Sequence, residues 1–129
     1  MSQPAPALDS PKRILLVDDD DGMRSVIRRA IEERGWICEE ALNGVDSISK
    51  ARANQPSLII LDLSMPIMNG YEASLVLRRE MPQVPIVFLS MYADAIGRSS
   101  AGILNVQAVL AKSDGVGSLM HRVEQLLSS

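Results

Sequence analysis

The chain has 129 residues, a single cysteine and a formal charge of −3, with 47% of its residues hydrophobic. That length suits one compact domain, and the lone Cys38 excludes an internal disulfide and fits a reducing cytoplasm. An acidic balance with no Lys/Arg cluster on any one helix excludes a basic nucleic-acid footprint.

Residues 1–12 read as a flexible leader, with three prolines among small and polar residues and no apolar signal-peptide core. The remainder, 13–129, is expected to be one domain. Ile14–Val17 is a short branched apolar run ended by aspartates, as a buried strand requires. Met23, Val26, Ile27, Ala30 and Ile31 then recur at helical spacing, and Gly35 is placed to end that helix. Trp36–Ala41 forms a more polar strand, suited to a sheet edge.

Asn43-Gly44 opens a second helix with Val45, Ile48 and Ala51 facing inward, and Pro56 breaks it. Leu58–Leu61 is a fully apolar strand ending at Asp62. Asn69-Gly70 leads into a third helix stopped by Pro82, and Val84–Leu89 is a strand ending at Ser90. A fourth helix is expected over Ala93–Ala101. Val106–Ala111 is the last strand, ending at Lys112. A final helix aligns Val116, Leu119, Met120, Val123, Leu126 and Leu127 on one stripe. Strands alternating with helices imply right-handed crossovers and a parallel sheet covered on both faces, an α/β fold. No apolar run approaches the roughly 20 residues of a membrane helix, so no membrane partner is expected and the location is expected to be cytoplasmic.

The apolar strands end in polar groups: Asp18-Asp19, Asp62, Ser90 and Lys112. In an open parallel sheet the carboxyl ends share one rim, where ligands bind. Three carboxylates brought together there would repel unless protonated or neutralised by a cation. Oxygen ligands in a partly open cleft suit Mg²⁺, commonly completed by a substrate phosphate. With a hydroxyl and an ammonium beside them, the inventory fits phosphoryl transfer, in which a carboxylate can be the nucleophile.

The segments ILLVDDDDGMR, PSLIILDLSMPIMNG, VPIVFLS and AVLAKSDG, in that order, resemble the signature segments of receiver domains of two-component response regulators, CheY-like proteins. The resemblance spans about residues 13–127. It implies a flavodoxin-like (βα)5 fold, a five-stranded parallel sheet in order 2-1-3-4-5. It further implies Asp62 as phosphoacceptor, Asp19 as a direct Mg²⁺ ligand, Asp18 as one acting mainly through water, and the Ser64 backbone carbonyl as a further ligand. Ser90 and Lys112 would contact the phosphoryl group. The implied donor is a sensor histidine kinase, a histidine phosphotransfer protein or a small acyl phosphate. Such a protein catalyses only its own phosphorylation and dephosphorylation and is not a turnover enzyme. Asp20 or Asp21, left over from the acidic run, is expected to cap the first helix.

Departures from the family pattern fall on the output side. Val109 stands where receivers carry the switch aromatic. Ser113 stands where proline commonly follows the lysine, so a trans bond is expected there. Met91, Tyr92 and Ser64 occupy positions that in the family tune phosphoryl lifetime, and Met91 with Tyr92 is expected to shield Asp62 from water. Signal output, or a homodimer, is expected through the face made by the fourth helix, last strand and fifth helix. Two other readings stand beside the switch. One is a receiver-like interaction module that works without phosphorylation, favoured by the missing aromatic. The other is a haloacid-dehalogenase-type phosphatase using Asp18-x-Asp20, which leaves Asp62 without a role.

Overall fold

The computed structural model describes residues 11–63, 70–90 and 108–128. In chain order it contains β1 (Arg13–Val17), α1 (Asp21–Glu33), β2 (Ile37–Ala41), α2 (Gly44–Ala53), β3 (Leu58–Asp62), α3 (Gly70–Glu80), β4 (Ile86–Ser90), β5 (Ala108–Ala111), a 3₁₀ turn (Lys112–Asp114) and α4 (Gly115–Leu127). The strands form one sheet in the order β2-β1-β3-β4-β5, every neighbouring pair parallel. This is the flavodoxin-like arrangement the sequence implied. The expected helix over Ala93–Ala101 lies outside the described residues, as do Ser64, Met91 and Tyr92.

Side-chain alternation divides the core into two layers. From β1, Leu15 and Val17 join Ile48, Ala73, Leu77 and Phe88 on the side covered by α2 and α3. Ile14 and Leu16 join Ile27, Ile31, Leu119, Met120 and Val123 on the side covered by α1 and α4. Strands β3 and β4 are buried at every residue, which is why their sequences run apolar without alternation. The expected edge strand is at the edge, where Glu39 and Glu40 of β2 are only half-buried.

Local chemistry sets the helix ends. Asp20 caps α1, its Oδ1 accepting from the backbone N–H of Gly22 and Met23 at 3.0 and 3.3 Å. Asp21 instead sits in the first turn, where its charge favours the helix dipole. Gly35 ends α1 with φ of 78°, a left-handed value that costs glycine little. Asn43 caps α2 by accepting from the Asp46 N–H at 2.8 Å.

Three expectations shift. Val26 was placed on the inward stripe of α1 but is 54% exposed. The fully buried positions are Ile27 and Ile31. At about 100° per residue their shared face is rotated toward Arg24 and away from Val26. Val45 was placed inward on α2 but is 53% exposed, because the buried face there is formed by Gly44, Ser47, Ile48 and Ala51. Ser47 is tolerated in that layer because its hydroxyl donates to the Gly44 carbonyl at 2.6 Å. The fourth strand begins at Ile86 rather than Val84, and it includes Ser90. Val84 belongs to the preceding turn, with its N–H on the Met81 carbonyl at 3.1 Å.

Ion pairs tie the helices of each layer together. Arg34, which follows α1, meets Glu124 of α4 at 2.6 Å, and Arg52 of α2 takes Glu80 of α3 in a two-pronged contact. All four side chains are substantially exposed, so each pair contributes about 0–1 kcal/mol.

Cys38 lies buried in β2 beneath α1. Burial pushes its thiol up from an ordinary value of 9.0 to about 12. A thiol kept neutral by the fold stabilises it fully below pH 9, and that contribution is lost as pH rises from 9 toward 12. Native protein at pH 8 is therefore expected to react with a maleimide at least ~100-fold more slowly than urea-unfolded protein, since the thiolate is the nucleophile. Equal labelling rates would contradict this burial.

Candidate functional site

The carboxyl ends of β1, β3, β4 and β5 carry Asp18, Asp62, Ser90 and Lys112 to one rim. Central strands pair in register there, Val17 opposite Leu61, Asp62 opposite Leu89 and Ser90 opposite Ala111. Residues far apart in sequence are thus side by side. Asp18, Asp19 and Asp62 each offer a carboxylate oxygen, and these three atoms lie within 4.8 Å of one another. Asp18 and Asp62 are buried, at 0% and 2% exposed, whereas Asp19 faces solvent. Ser90 is buried at the end of β4.

Lys112 reaches across from β5. Its ammonium lies 3.2 Å from Asp62 Oδ2 and 3.5 Å from Asp18 Oδ2, with the side chain 10% exposed. Burial alone would lower the pKa of the ammonium, but the attraction of Asp18 and Asp62 outweighs it and raises the value above the ordinary 10.5. Just after it, the Asp114 carboxylate accepts from the Ala111 N–H at 3.3 Å and holds the 3₁₀ turn. No peptide bond among the described residues is cis, so Lys112–Ser113 is trans as expected.

Each atom of Asp18 but one is committed. Its N–H donates to the Ala41 carbonyl at 3.2 Å, and its Oδ1 accepts from the Asp20 N–H at 2.9 Å. Its carbonyl accepts from Arg24 Nη1 at 2.9 Å. Oδ2 is buried and accepts no hydrogen bond among the described residues, with the Lys112 ammonium 3.5 Å away. Against three carboxylates Lys112 supplies one positive charge, leaving two negative charges, which one divalent cation would balance. Hard carboxylate oxygens suit Mg²⁺. Asp18, Asp19 and Asp62 would hold such an ion, which would supply the positive charge that their mutual repulsion calls for.

Sequence reasoning identified Asp18, Asp19, Asp62, Ser90 and Lys112, and the structure brings all five to the same rim. It missed two residues. Arg24 holds the Asp18 carbonyl, and the signal available was an arginine on the flank of the helix stripe. Gly70 passes so close to Asp62 that a Cβ built on it would stand 2.1 Å from the Asp62 carbonyl oxygen. Val109 pairs with Phe88 in the strand register.

A doubly wound parallel sheet with an acidic cluster and a lysine at its carboxyl rim defines the receiver class. The sequence profile of the response regulator receiver domain matches residues 14–124, and the chain belongs to that family, a signalling module of two-component systems. Response regulator MprA of Mycobacterium sp. (strain KMS) is 32% identical over 118 residues, 91% of this chain and 51% of that protein. Chemotaxis protein CheY of Halobacterium salinarum is 41% identical over 63 residues, 49% of this chain and 52% of that protein. The chain thus spans about half the length of these curated relatives. Among solved structures, response regulator TrrA from Thermotoga maritima in complex with Mg²⁺-BeF has a TM-score of 0.80 at 29% identity, covering 89% of this chain and 98% of that one. A CheY-like receiver domain protein from Methanospirillum hungatei has a TM-score of 0.85 at 23% identity, a likeness of fold over 92% and 95% of the two chains. No helix among the described residues is long and apolar enough to cross a membrane.

Proposed function

We propose that this chain is a phosphorylatable switch that accepts a phosphoryl group on Asp62 from a histidine kinase or histidine phosphotransfer protein. The observation that carries the reading is one rim holding three carboxylate oxygens within 4.8 Å, with Lys112 bridging two of those residues. A solved relative, TrrA, was crystallised with Mg²⁺-BeF, which supports Mg²⁺ as the cofactor. Asp18, Asp19, Asp62 and the Ser64 backbone carbonyl would hold the ion. When bound, it would neutralise phosphate oxygens and oppose the repulsion between donor and acceptor.

Asp62 attacks phosphorus with one carboxylate oxygen, in line with the departing imidazole nitrogen. An O–P bond forms, the N–P bond breaks, and its electron pair stays on the imidazole, which takes a proton from solvent. Lys112 leaves its contact with Asp62 Oδ2 to follow the new phosphoryl oxygens, and Ser90 donates its hydroxyl to one of them. Met91 and Tyr92 shield the acyl phosphate from water. The chain catalyses only its own modification, in the cytoplasm. Its output, or a homodimer, uses the face of the fourth predicted helix, β5 and the last helix.

The test is incubation with Mg²⁺ and a small acyl phosphate, followed by intact mass. A gain of one phosphoryl group that needs Mg²⁺ and is lost in Asp62→Asn is expected. Unchanged mass in the parent would instead favour an interaction module that works without phosphorylation, a reading prompted by Val109 at the aromatic switch position. Phosphate turnover surviving Asp62→Asn would point to the phosphatase chemistry of Asp18-x-Asp20.

A further inference from the structure

We infer that Arg24 is a positioning residue that sets the Asp18–Asp19 turn for cation binding; this rests on the proposed Mg²⁺ site. The chain leaves the sheet at Asp18, beyond the last paired residue of β1, Val17. Its carbonyl has therefore lost its strand partner, and Arg24 Nη1 replaces it at 2.9 Å. The Asp18 carbonyl and the Asp19 N–H share one rigid peptide plane, so fixing the first aims the second. Asp19 itself faces solvent. The plane before it fixes the Asp19 N and Cα atoms, the base from which that carboxylate leaves the backbone.

The guanidinium is itself immobilised. Nε donates to Glu40 Oε1 at 3.3 Å, and Nη2 to Asp21 Oδ1 at 2.5 Å. Glu40 is steadied in turn by Arg28 Nη1 at 2.5 Å on its other oxygen. The Arg24 side chain is 13% exposed, on the flank of α1 that turns toward the sheet. Its charge is already matched by two carboxylates, so what it brings to Asp18 is a planar fork of fixed geometry. A lysine would restore the charge without that fork.

The test measures Mg²⁺ affinity of the unphosphorylated full chain by titration calorimetry, alongside melting temperature without metal. Arg24→Ala and Arg24→Lys are expected to weaken Mg²⁺ binding about tenfold or more, the scale seen when a group behind a metal ligand is lost. Arg28→Ala, which releases Glu40 but leaves the Asp18 contact, is expected to stay within about twofold. An Arg24→Ala protein that melts lower yet binds Mg²⁺ like the parent would overturn the inference and leave Arg24 merely structural. If Arg24→Ala does not fold, Arg24→Lys alone decides, and parent-like affinity there overturns it. Asp19→Asn separates the two levels: if it leaves parent Mg²⁺ binding unchanged, the Mg²⁺ site itself is wrong.

Discussion

Gly70→Ala is expected to destabilise the protein by at least ~3 kcal/mol, near or above the upper range for overpacking, and to suppress phosphoryl uptake on Asp62. A Cβ there would stand 2.1 Å from the Asp62 carbonyl oxygen, 2.9 Å from its carbonyl carbon and 3.1 Å from Leu63 Cα. All three are backbone atoms, so no rotamer change relieves the clash. Asp62 cannot retreat easily, because it pairs with Leu89 in mid-sheet and the next N–H, of Leu63, donates to the Leu89 carbonyl at 3.0 Å. The first turn of α3 must therefore lift, opening the layer that holds Ala73 and Leu77. Gly117→Ala supplies the contrast. It lies inside α4 with nothing within 4 Å of an added methyl. That substitution is expected to stabilise by about 0.5–1 kcal/mol through helix propensity alone. Urea unfolding of both variants reads the difference. A Gly70→Ala protein as stable as the parent would mean that α3 does not press on the acceptor strand.

The two glycines show which parts of the molecule the sequence discloses. Composition and period were enough for the sheet: runs such as Leu58–Leu61 have no polar face because both faces are covered. The rim was legible because β3, β4 and β5 lead into a side chain with chemistry, and parallel topology puts carboxyl ends together. Helix faces were harder. Val26 and Val45 satisfied an apolar spacing yet lie half exposed, since spacing fixes a stripe only to within one residue on either side. On α1 the sheet-facing flank is taken by Arg24, whose polar head finds a carbonyl and two carboxylates. A hydrophobicity pattern cannot show two of these partners, because Glu40 comes from β2 and the Asp18 carbonyl from the strand end, while Asp21 lies on α1 itself. Gly70 was read as part of a turn signal. Its close approach to Asp62 depends on how α3 docks against β3, a tertiary fact that no local pattern contains.

Lys112→Met should produce a comparably large loss, for an electrostatic reason. Asp18 and Asp62 are 0% and 2% exposed, and Lys112 is within 3.5 Å of a carboxylate oxygen of each. Removing one partner of a buried ion pair typically costs about 3–5 kcal/mol, because the remaining charge stays buried. Here two carboxylates are left facing each other, with Asp19 nearby. Unfolding in urea at pH 7 without Mg²⁺ is expected to show that loss. The pKa of Lys112 is raised above 10.5 in the folded state, so its contribution is fully present below pH 10.5 and is lost as pH climbs through the folded value. In the parent that contribution should therefore stay constant from pH 6 to 9. Mg²⁺ should narrow the gap between parent and variant, since a cation bound only by the folded state stabilises by about 2.7 kcal/mol at a hundredfold excess over its Kd. The variant, with more negative charge left unbalanced, should gain more from the ion than the parent does. Phosphoryl uptake should nevertheless stay depressed by about 10²-fold or more even with Mg²⁺ present, because the ion replaces the lysine's charge at the cluster but not its contact with the transferred group. A variant that matches the parent's stability without metal would mean that these buried carboxylates are neutralised by something other than Lys112.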